Sequence, residues 1–458
     1  MRMGYCQGCL EKQHQINLLK EEIVALKARL RYQERAVKEG AFGSATPSSK
    51  VPVKANSLPE RQERRGGAPQ GHAGRGREVI EPDQADRVER VPGPEVCPDC
   101  GTRLQAVGTR SRAVIELVPA RVERVIYRLP RQSCPKCGRE ARARAPGVLA
   151  KCLYSNGLLA YIAEQHYLWE RPLCQLARQI GRPHGSLLAA LHRVAGLLEE
   201  IPKKLVAEYR RAQVKHADET GWRTDGQNGY AWLFATPRLS IFRLRNSRAA
   251  QVAAEVLGDR QLPGTLVVDR YGAYNQAPCA LQYCYAHLLR DTHDAAQQFP
   301  ENPEVRAFVQ ALAPALAKAM GLRSRPISDA QFRRRATRLK NQIRATVNRP
   351  ASHPAIWKIQ GIFRDHADRV YHWAADRRIP ADNNLAERDL RPLVIARKIS
   401  FGSQSPKGAR TRETLMSVMQ TLRKRGANVP QVLKSCLDHL VEKPDADPYV
   451  LLFAPDSS

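Results

Sequence analysis

Val214-Lys215-His216-Ala217-Asp218-Glu219-Thr220-Gly221-Trp222 is the stretch on which the reading of the whole chain turns. It reads as a short buried strand that stops on an acid and meets a Gly turn. A carboxylate at the exposed end of a strand is held rigidly where sheet meets solvent, which suits a metal ligand. Gly264-Thr265-Leu266-Val267-Val268-Asp269 repeats the pattern: a β-branched apolar run ends on Asp269, and Arg270-Tyr271-Gly272-Ala273-Tyr274 turns the chain away. A third acid, Glu387, lies in Asp382-Asn383-Asn384-Leu385-Ala386-Glu387-Arg388, where Asp382 or Asn383 is placed to cap a helix. Whether these three carboxylates meet is the question the sequence poses.

The intervening chain supplies a frame for them. Tyr230–Phe234 and Leu239–Leu244 flank Pro237-Arg238 and read as a hairpin, Ala249 to Leu257 as a helix, and Leu281–Tyr285 as a further strand before a helix from about Ala286. Three strands, a helix, a strand, a helix, a strand and a helix follow the order of a ribonuclease H fold, in which the first and fourth strands are neighbours. That would bring Asp218 and Asp269 together. Pro303 to Ala375 reads as an Arg-rich helical insertion before Glu387.

Outward from this core, the chain reads as an α/β multidomain protein. Its 458 residues are too many for one ordinary core. A formal charge of +29 and a pI near 10.0 point to a polyanionic partner, nucleic acid first. No apolar run is long enough to span a membrane and no signal-peptide core opens the chain, so a cytoplasmic, nucleoid-associated location is expected. Ile16, Leu19, Ile23, Leu26, Leu30 and Val37 fall on a and d positions, broken only at Gln33, which fits a coiled-coil helix over residues 1–39 and self-association through it. Residues 40–91 form a basic, aromatic-poor linker. Within 92–150, Cys97-Pro98-Asp99-Cys100-Gly101 and Cys134-Pro135-Lys136-Cys137-Gly138 are matched knuckles whose four thiolates fit one tetrahedral Zn2+. Val114–Val118 and Arg124–Arg128 alternate like the strands of a zinc ribbon. Cys6 and Cys9 form a third pair with two ligands only.

Residues 151–212 read as helical, with Pro172–Gly181 and Ser186–Val194 as a helix-turn-helix in which Ala177 allows a close crossing. Ser186, His192 and Arg193 would then face DNA. The core spans 213–400, with its insertion at about 300–380, and 401–458 is a basic helical region. Arg388, Arg391, Arg397 and Lys398 open that basic stretch as further DNA-facing candidates.

His216–Thr220, Val268–Tyr274, Tyr283-Cys284-Tyr285-Ala286-His287-Leu288 and Asp382–Arg388, with Arg391-Pro392, Arg397-Lys398 and Phe401-Gly402-Ser403, together resemble the insertion sequence 66 family of DDE transposases. The resemblance covers nearly the whole chain, with Arg270 a departure where that family more often has Gly. It implies that Asp218, Asp269 and Glu387 bind two Mg2+ for cleavage and strand transfer of the ends of an insertion sequence. The partners it implies are terminal inverted repeats, target DNA and small accessory transposition proteins. Cys284-x-x-His287 resembles a motif lying between the second and third acids of several DDE families and is assigned a supporting role. Alternatives stay open at this level. Glu219 could replace Asp218, Asp269 could cap the next helix, Glu387 could pair with Arg391, and Trp222 and Tyr271 could stack on bases or pack in the core. The chain could also be a zinc-finger and helix-turn-helix regulator derived from a transposase, or a metal-dependent nuclease without strand transfer.

The knuckles generate a direct test. Purified protein is expected to carry zinc on Cys97, Cys100, Cys134 and Cys137, and Cys134→Ser is expected to lose one Zn2+ per chain by elemental analysis. Retention of full zinc by that variant would remove the site.

Overall fold

The computed structural model describes residues 145–453, with 122–129, 131–133, 140–142 and residues 15, 19, 20, 22 and 23. The rest of the heptad segment, the linker and all six Cys-x-x-Cys thiols lie outside the described residues. The chain divides into two compact units, of which the smaller is Val51–Arg128. Its described residues, 122–128, contain no helix or strand, so Arg124–Arg128 is not the strand its alternation suggests. In the larger unit, β1 (Arg131–Ser133) and β2 (Glu140–Arg142) pair antiparallel on either side of the segment that contains Cys134 and Cys137.

Within residues 145–453, four helices precede the sheet: α1 (Asn156–Tyr167), α2 (Leu173–Gln179), α3 (His184–Leu197) and α4 (Ile201–Arg211). The short turn between α2 and α3 passes through Gly181 at φ +65°. Ala177 is buried at that crossing, and Leu187, Leu191 and Val194 recur at helical spacing on the buried face of α3.

The sheet comprises β3 (Val214–Thr224), β4 (Gln227–Thr236), β5 (Leu239–Arg245), β6 (Thr265–Val268) and β7 (Ala280–Tyr283), with α5 (Ala250–Leu257) between β5 and β6. Its order is β5-β4-β3-β6-β7. β3, β4 and β5 are antiparallel, and β3, β6 and β7 run parallel. The first and fourth strands are therefore neighbours. One expectation is corrected: β3 does not stop at Asp218 but continues through Gly221 to Thr224, because β4 pairs with it all the way. What ends before Asp218 is the parallel partner. β6 pairs only with Val214–His216, so Asp218 lies just past the point where β3 loses its neighbour on that side.

After the sheet come α6 (Tyr285–Gln298), α7 (Pro303–Leu322), α8 (Asp329–Val347), α9 (Pro354–Asp365), α10 (His372–Ala375), α11 (Asn384–Ser400), α12 (Pro406–Lys424), α13 (Val429–Glu442) and α14 (Pro448–Phe453). Helices α7 to α10 form the insertion. Beyond α11 the chain returns to the sheet: Ser403 N–H donates to Arg223 O at 2.9 Å and Asp225 N–H to Ser403 O at 2.9 Å. Gly402 makes this approach possible, since at φ +128° a Cβ would sit 2.2 Å from Arg223 O.

β5 is an edge strand, and an open edge is a template for unwanted pairing. Here α12 covers it. Ser240, Phe242 and Leu244 N–H donate to Thr421 Oγ1 (3.1 Å), Ser417 Oγ (3.0 Å) and Glu413 Oε1 (2.5 Å). Two strand residues advance about 6.8 Å and four helical residues about 6.0 Å, so acceptors every fourth residue of a helix match donors every second residue of a strand. Ser417→Ala leaves the buried Phe242 N–H without an acceptor and is expected to destabilise the protein by about 1–3 kcal/mol in chemical denaturation. An unchanged midpoint would mean that the edge is not held this way.

Candidate active site

Asp218 on β3, Asp269 just after β6 and Glu387 in the first turn of α11 act on one another electrostatically. Burial pushes the Asp218 carboxyl well above its usual range, and the charges of Glu219, Asp269 and Glu387 add to that. Burial raises Asp269, while the Tyr271 N–H bond and the Arg248 and Arg270 guanidinium groups oppose it. Glu387 is raised by burial and by Asp382 and Asp269, with Arg290 the main opposing charge. The structure thus gathers the three acids.

Each carboxylate is held differently. Asp218 Oδ1 accepts from Glu219 N–H at 2.9 Å. Asp269 Oδ1 accepts from Tyr271 N–H at 2.8 Å, so it closes the turn that leads into a short 3-10 segment, Gly272–Tyr274. Glu387 Oε1 is buried with no partner among the described residues. Glu219 is the contrast. Alternation along β3 sends it to the other face, where Arg248 holds Oε1 at 2.6 Å and Tyr274 OH donates to Oε2 at 2.6 Å. Both of its oxygens are occupied, which disfavours it as a replacement for Asp218.

The staple that assembles the site is Asn383, buried immediately before α11. Of the two residues placed by the sequence to cap this helix, Asp382 does so, its Oδ1 accepting from Asn384 N–H at 3.1 Å, while the Asn383 side chain makes no cap bond. Asn383 Nδ2 donates to Ala217 O at 2.8 Å, its Oδ1 lies 2.9 Å from His216 Nδ1, and its N–H meets Cys284 Sγ at 3.1 Å. With Oδ1 as acceptor, His216 carries its proton on Nδ1. Burial lowers His216 to about 4, so the ring is neutral at physiological pH.

Cys284 occupies the position just before α6, and His287 lies in the first turn of that helix. Their ligand atoms and a Glu387 oxygen all lie within 4.8 Å of one another. Burial and the Glu387 charge push the Cys284 thiol up to about 12. Burial, with Arg290 and Arg270 nearby, lowers His287 to about 4.

Several expected DNA contacts are engaged inside the protein. Arg397 Nη1 donates to Thr220 Oγ1 (3.1 Å) and Gly221 O (2.5 Å), tying α11 to β3. His192 Nδ1 bonds Thr411 Oγ1 at 2.6 Å, Ser186 Oγ bonds Tyr154 OH at 2.5 Å, and Arg193 reaches Lys151 O at 3.0 Å. Ser186 and Arg193 are nonetheless exposed. Arg388, Arg391 and Lys398 are exposed and, at helical spacing, share one face of α11. Trp222 is core, with Nε1 donating to Ser403 Oγ at 3.2 Å, and so is not available to stack on a base. Tyr271 is half-buried with Arg248 3.8 Å above its ring. Arg248 had no signal in the sequence, and Tyr274 and Asn383 had none beyond their places in the Val268–Tyr274 and Asp382–Arg388 motifs.

A carboxyl with a raised folded pKa contributes stability below its unfolded pKa and loses it as pH rises through the folded value. Asp218→Asn keeps the Oδ1 acceptor and removes the charge. The apo variant is therefore expected to melt above the wild type at neutral pH, with the difference closing as pH falls and Asp218 protonates. Mg2+ is expected to raise the wild-type melting temperature more than the variant's. A variant less stable at neutral pH would contradict the mutual repulsion.

The family model described as zinc-finger binding domain of transposase IS66 matches residues 94–138. An uncharacterized Sinorhizobium fredii protein, y4jD, is 24% identical over 403 residues, covering 79% of this chain and 78% of its own. A second from the same organism, y4qI, is 25% identical over 404 residues, covering 78% and 73%. The model described as Transposase IS66 family matches residues 151–411, more than half of the chain and the span that carries all three acids, and on that match the chain belongs to the IS66 transposase family.

Proposed function

We propose that the protein is a DNA transposase whose ribonuclease H-like core cuts the ends of an insertion sequence and joins them to target DNA. The observation that carries this is the cluster in which burial raises the Asp218, Asp269 and Glu387 carboxyls, the charges of Asp269 and Glu387 push Asp218 up further, and Glu387 Oε1 lacks a partner among the described residues. Three hard oxygen donors that cannot all be comfortable as bare anions suit divalent cations, and the donor set fits Mg2+. When bound, two such ions activate the attacking oxygen and stabilise the leaving oxygen of an in-line displacement. The chain's own contribution is placement. β3 and the β6 turn hold the two Asp groups, Asn383 brings α11 and Glu387 against them, and Arg290 and Arg391 supply positive charge beside Glu387 of the kind that suits phosphate.

The exposed face formed by Arg388, Arg391 and Lys398 leads away from Glu387 and supports a DNA strand entering along α11. Residues 92–150 as a zinc module, 151–212 as a helix-turn-helix domain and 1–39 as a dimerising coiled coil complete the reading, with accessory transposition proteins as further partners. A DNA-binding regulator without catalysis is the second reading. An intact acid triad favours the enzyme.

Asp218→Ala, Asp269→Ala and Glu387→Ala are each expected to abolish Mg2+-dependent cleavage and strand transfer on a labelled terminal-repeat duplex, while gel shifts on the same DNA persist. Arg391→Ala and Lys398→Ala are expected to weaken binding and reduce its salt dependence. Arg397 is a poor probe of DNA contact, because removing it also loosens α11 from β3. Wild-type cutting by any triad variant would strike that residue from the metal ligands. DNA binding by the wild type without cleavage, at any divalent ion, would favour the regulator.

A further inference from the structure

Magnesium chemistry leaves Cys284 and His287 unexplained. A thiol is a poor ligand for magnesium, a hard ion that prefers oxygen. Yet Cys284, His287 and Glu387 present sulfur, nitrogen and oxygen atoms within 4.8 Å of one another. Two observations indicate that something besides packing belongs there. His287 Nδ1 and Glu387 Oε1 are both buried without a partner among the described residues. Burying such atoms unpaired is costly, so a native structure that keeps one on each of two neighbouring potential ligands has a use for them. The thiol also sits at the start of the 14-residue helix α6, whose dipole only partly offsets the burial that keeps it protonated without a metal.

We propose that Cys284, His287 and Glu387 form a binding site for one soft divalent ion of the zinc class, and that filling it withdraws Glu387 from the Asp218–Asp269 pair. A thiolate, a carboxylate and a neutral imidazole balance the charge of a divalent ion, with the thiol proton released to solvent. Three protein ligands and an open fourth position match a solvent-accessible tetrahedral site. Zinc bonds of about 2.0–2.3 Å place tetrahedral ligands about 3.3–3.6 Å apart, so atoms within 4.8 Å of one another need to close by about 1.5 Å at most. Spacing and chain geometry cooperate. Cys284 and His287 are three apart at a helix start, and Asn383, whose N–H already meets Cys284 Sγ, delivers α11 and Glu387 to them. Arg270 and Arg290 face this pocket and oppose a cation, but Arg270 is already paired with Asp291.

The site itself does not depend on the transposase reading. Only its effect on catalysis does, since it makes Glu387 a ligand shared between two ions. Zinc would then inhibit a magnesium-dependent reaction at the third acid.

Zinc content of the full-length protein separates the two claims. The wild type is expected to hold one more equivalent than Cys284→Ser, His287→Gln or Glu387→Gln, and the Cys97→Ser/Cys134→Ser variant is expected to retain that equivalent after losing the one in the knuckles. Each single variant is expected to lose at least the roughly 10–100-fold in affinity that even a supporting partner supplies. Glu387→Gln preserves side-chain shape and carries the test if the other two fail to fold by circular dichroism. Equal zinc in the wild type and the folded variants overturns the site. In a second arm, zinc is titrated into Mg2+-supported cleavage. Wild-type activity is expected to fall, and His287→Gln to resist relative to its own zinc-free rate. Cleavage unaffected by zinc, with the extra equivalent present, overturns the shared role of Glu387. Absence of cleavage under all conditions counts against the transposase reading alone, and zinc content still decides the site.

Discussion

Everything in the candidate site depends on how one buried amide is shared. Asn383 contacts His216 and Ala217 on β3 through its side chain and Cys284 through its N–H, and its carbonyl accepts from Glu387 N–H at 3.2 Å. It therefore links the central strand, the start of α6 and the start of α11 in one residue. A buried polar group is stable only when its bonds are made, and an Asn offers both a donor and an acceptor on a short stem. An aspartate there would lack the donor that meets Ala217 O. The neutral His216 fits the same logic, since a charged ring would be buried without a counter-ion.

Against that rigid frame, the acids are left deliberately unequal. Glu219 is paired on both oxygens and serves the core, where Tyr274 and Arg248 pack against Trp232 and Tyr271. Asp218, Asp269 and Glu387 are only partly satisfied and repel one another. Such strain at a site persists only when the surroundings over-determine the fold. Here the surroundings include the α12 cover on the β5 edge. The Lys424–Asp389 ion pair adds to it, with Ser240 Oγ donating to Asp389 at 2.9 Å, and joins α12, α11 and the sheet.

The basic character of the chain divides along similar lines. Some arginines are structural: Arg397 fastens α11 to β3, and Arg412 is buried against Trp222 and Tyr167. Others are exposed, on α11 and along Arg333, Arg334, Arg335 and Arg338 of α8. Net charge alone does not distinguish a guanidinium that supports the core from one that meets phosphate, because Arg does both through the same planar donor fork.

The sequence by itself determined most of the elements and their order, although between β6 and β7, where the expected order has a helix, the chain makes only the 3-10 turn Gly272–Tyr274. Alternating β-branched runs, a short hairpin connection and capping residues are local signals, and they carried the strands around Asp218 and Asp269, the insertion and the helix bearing Glu387. It also determined the chemistry available, since acids within or just after β-branched runs and paired thiols are legible residue by residue. Only the tertiary structure decided where β3 ends, because that depends on the length of its partners: β4 follows it to Thr224 while β6 leaves it at His216. The same holds for Asn383, which has the local signature of a cap but finds better partners on β3, and for Arg397 and His192, whose exposure depends on α11 and α12 folding back over the sheet. Cys284, His287 and Glu387 come from segments about a hundred residues apart, so no local pattern could place them at one point. Side-chain partners across such distances are chosen by packing, which local sequence constrains only through volume and polarity.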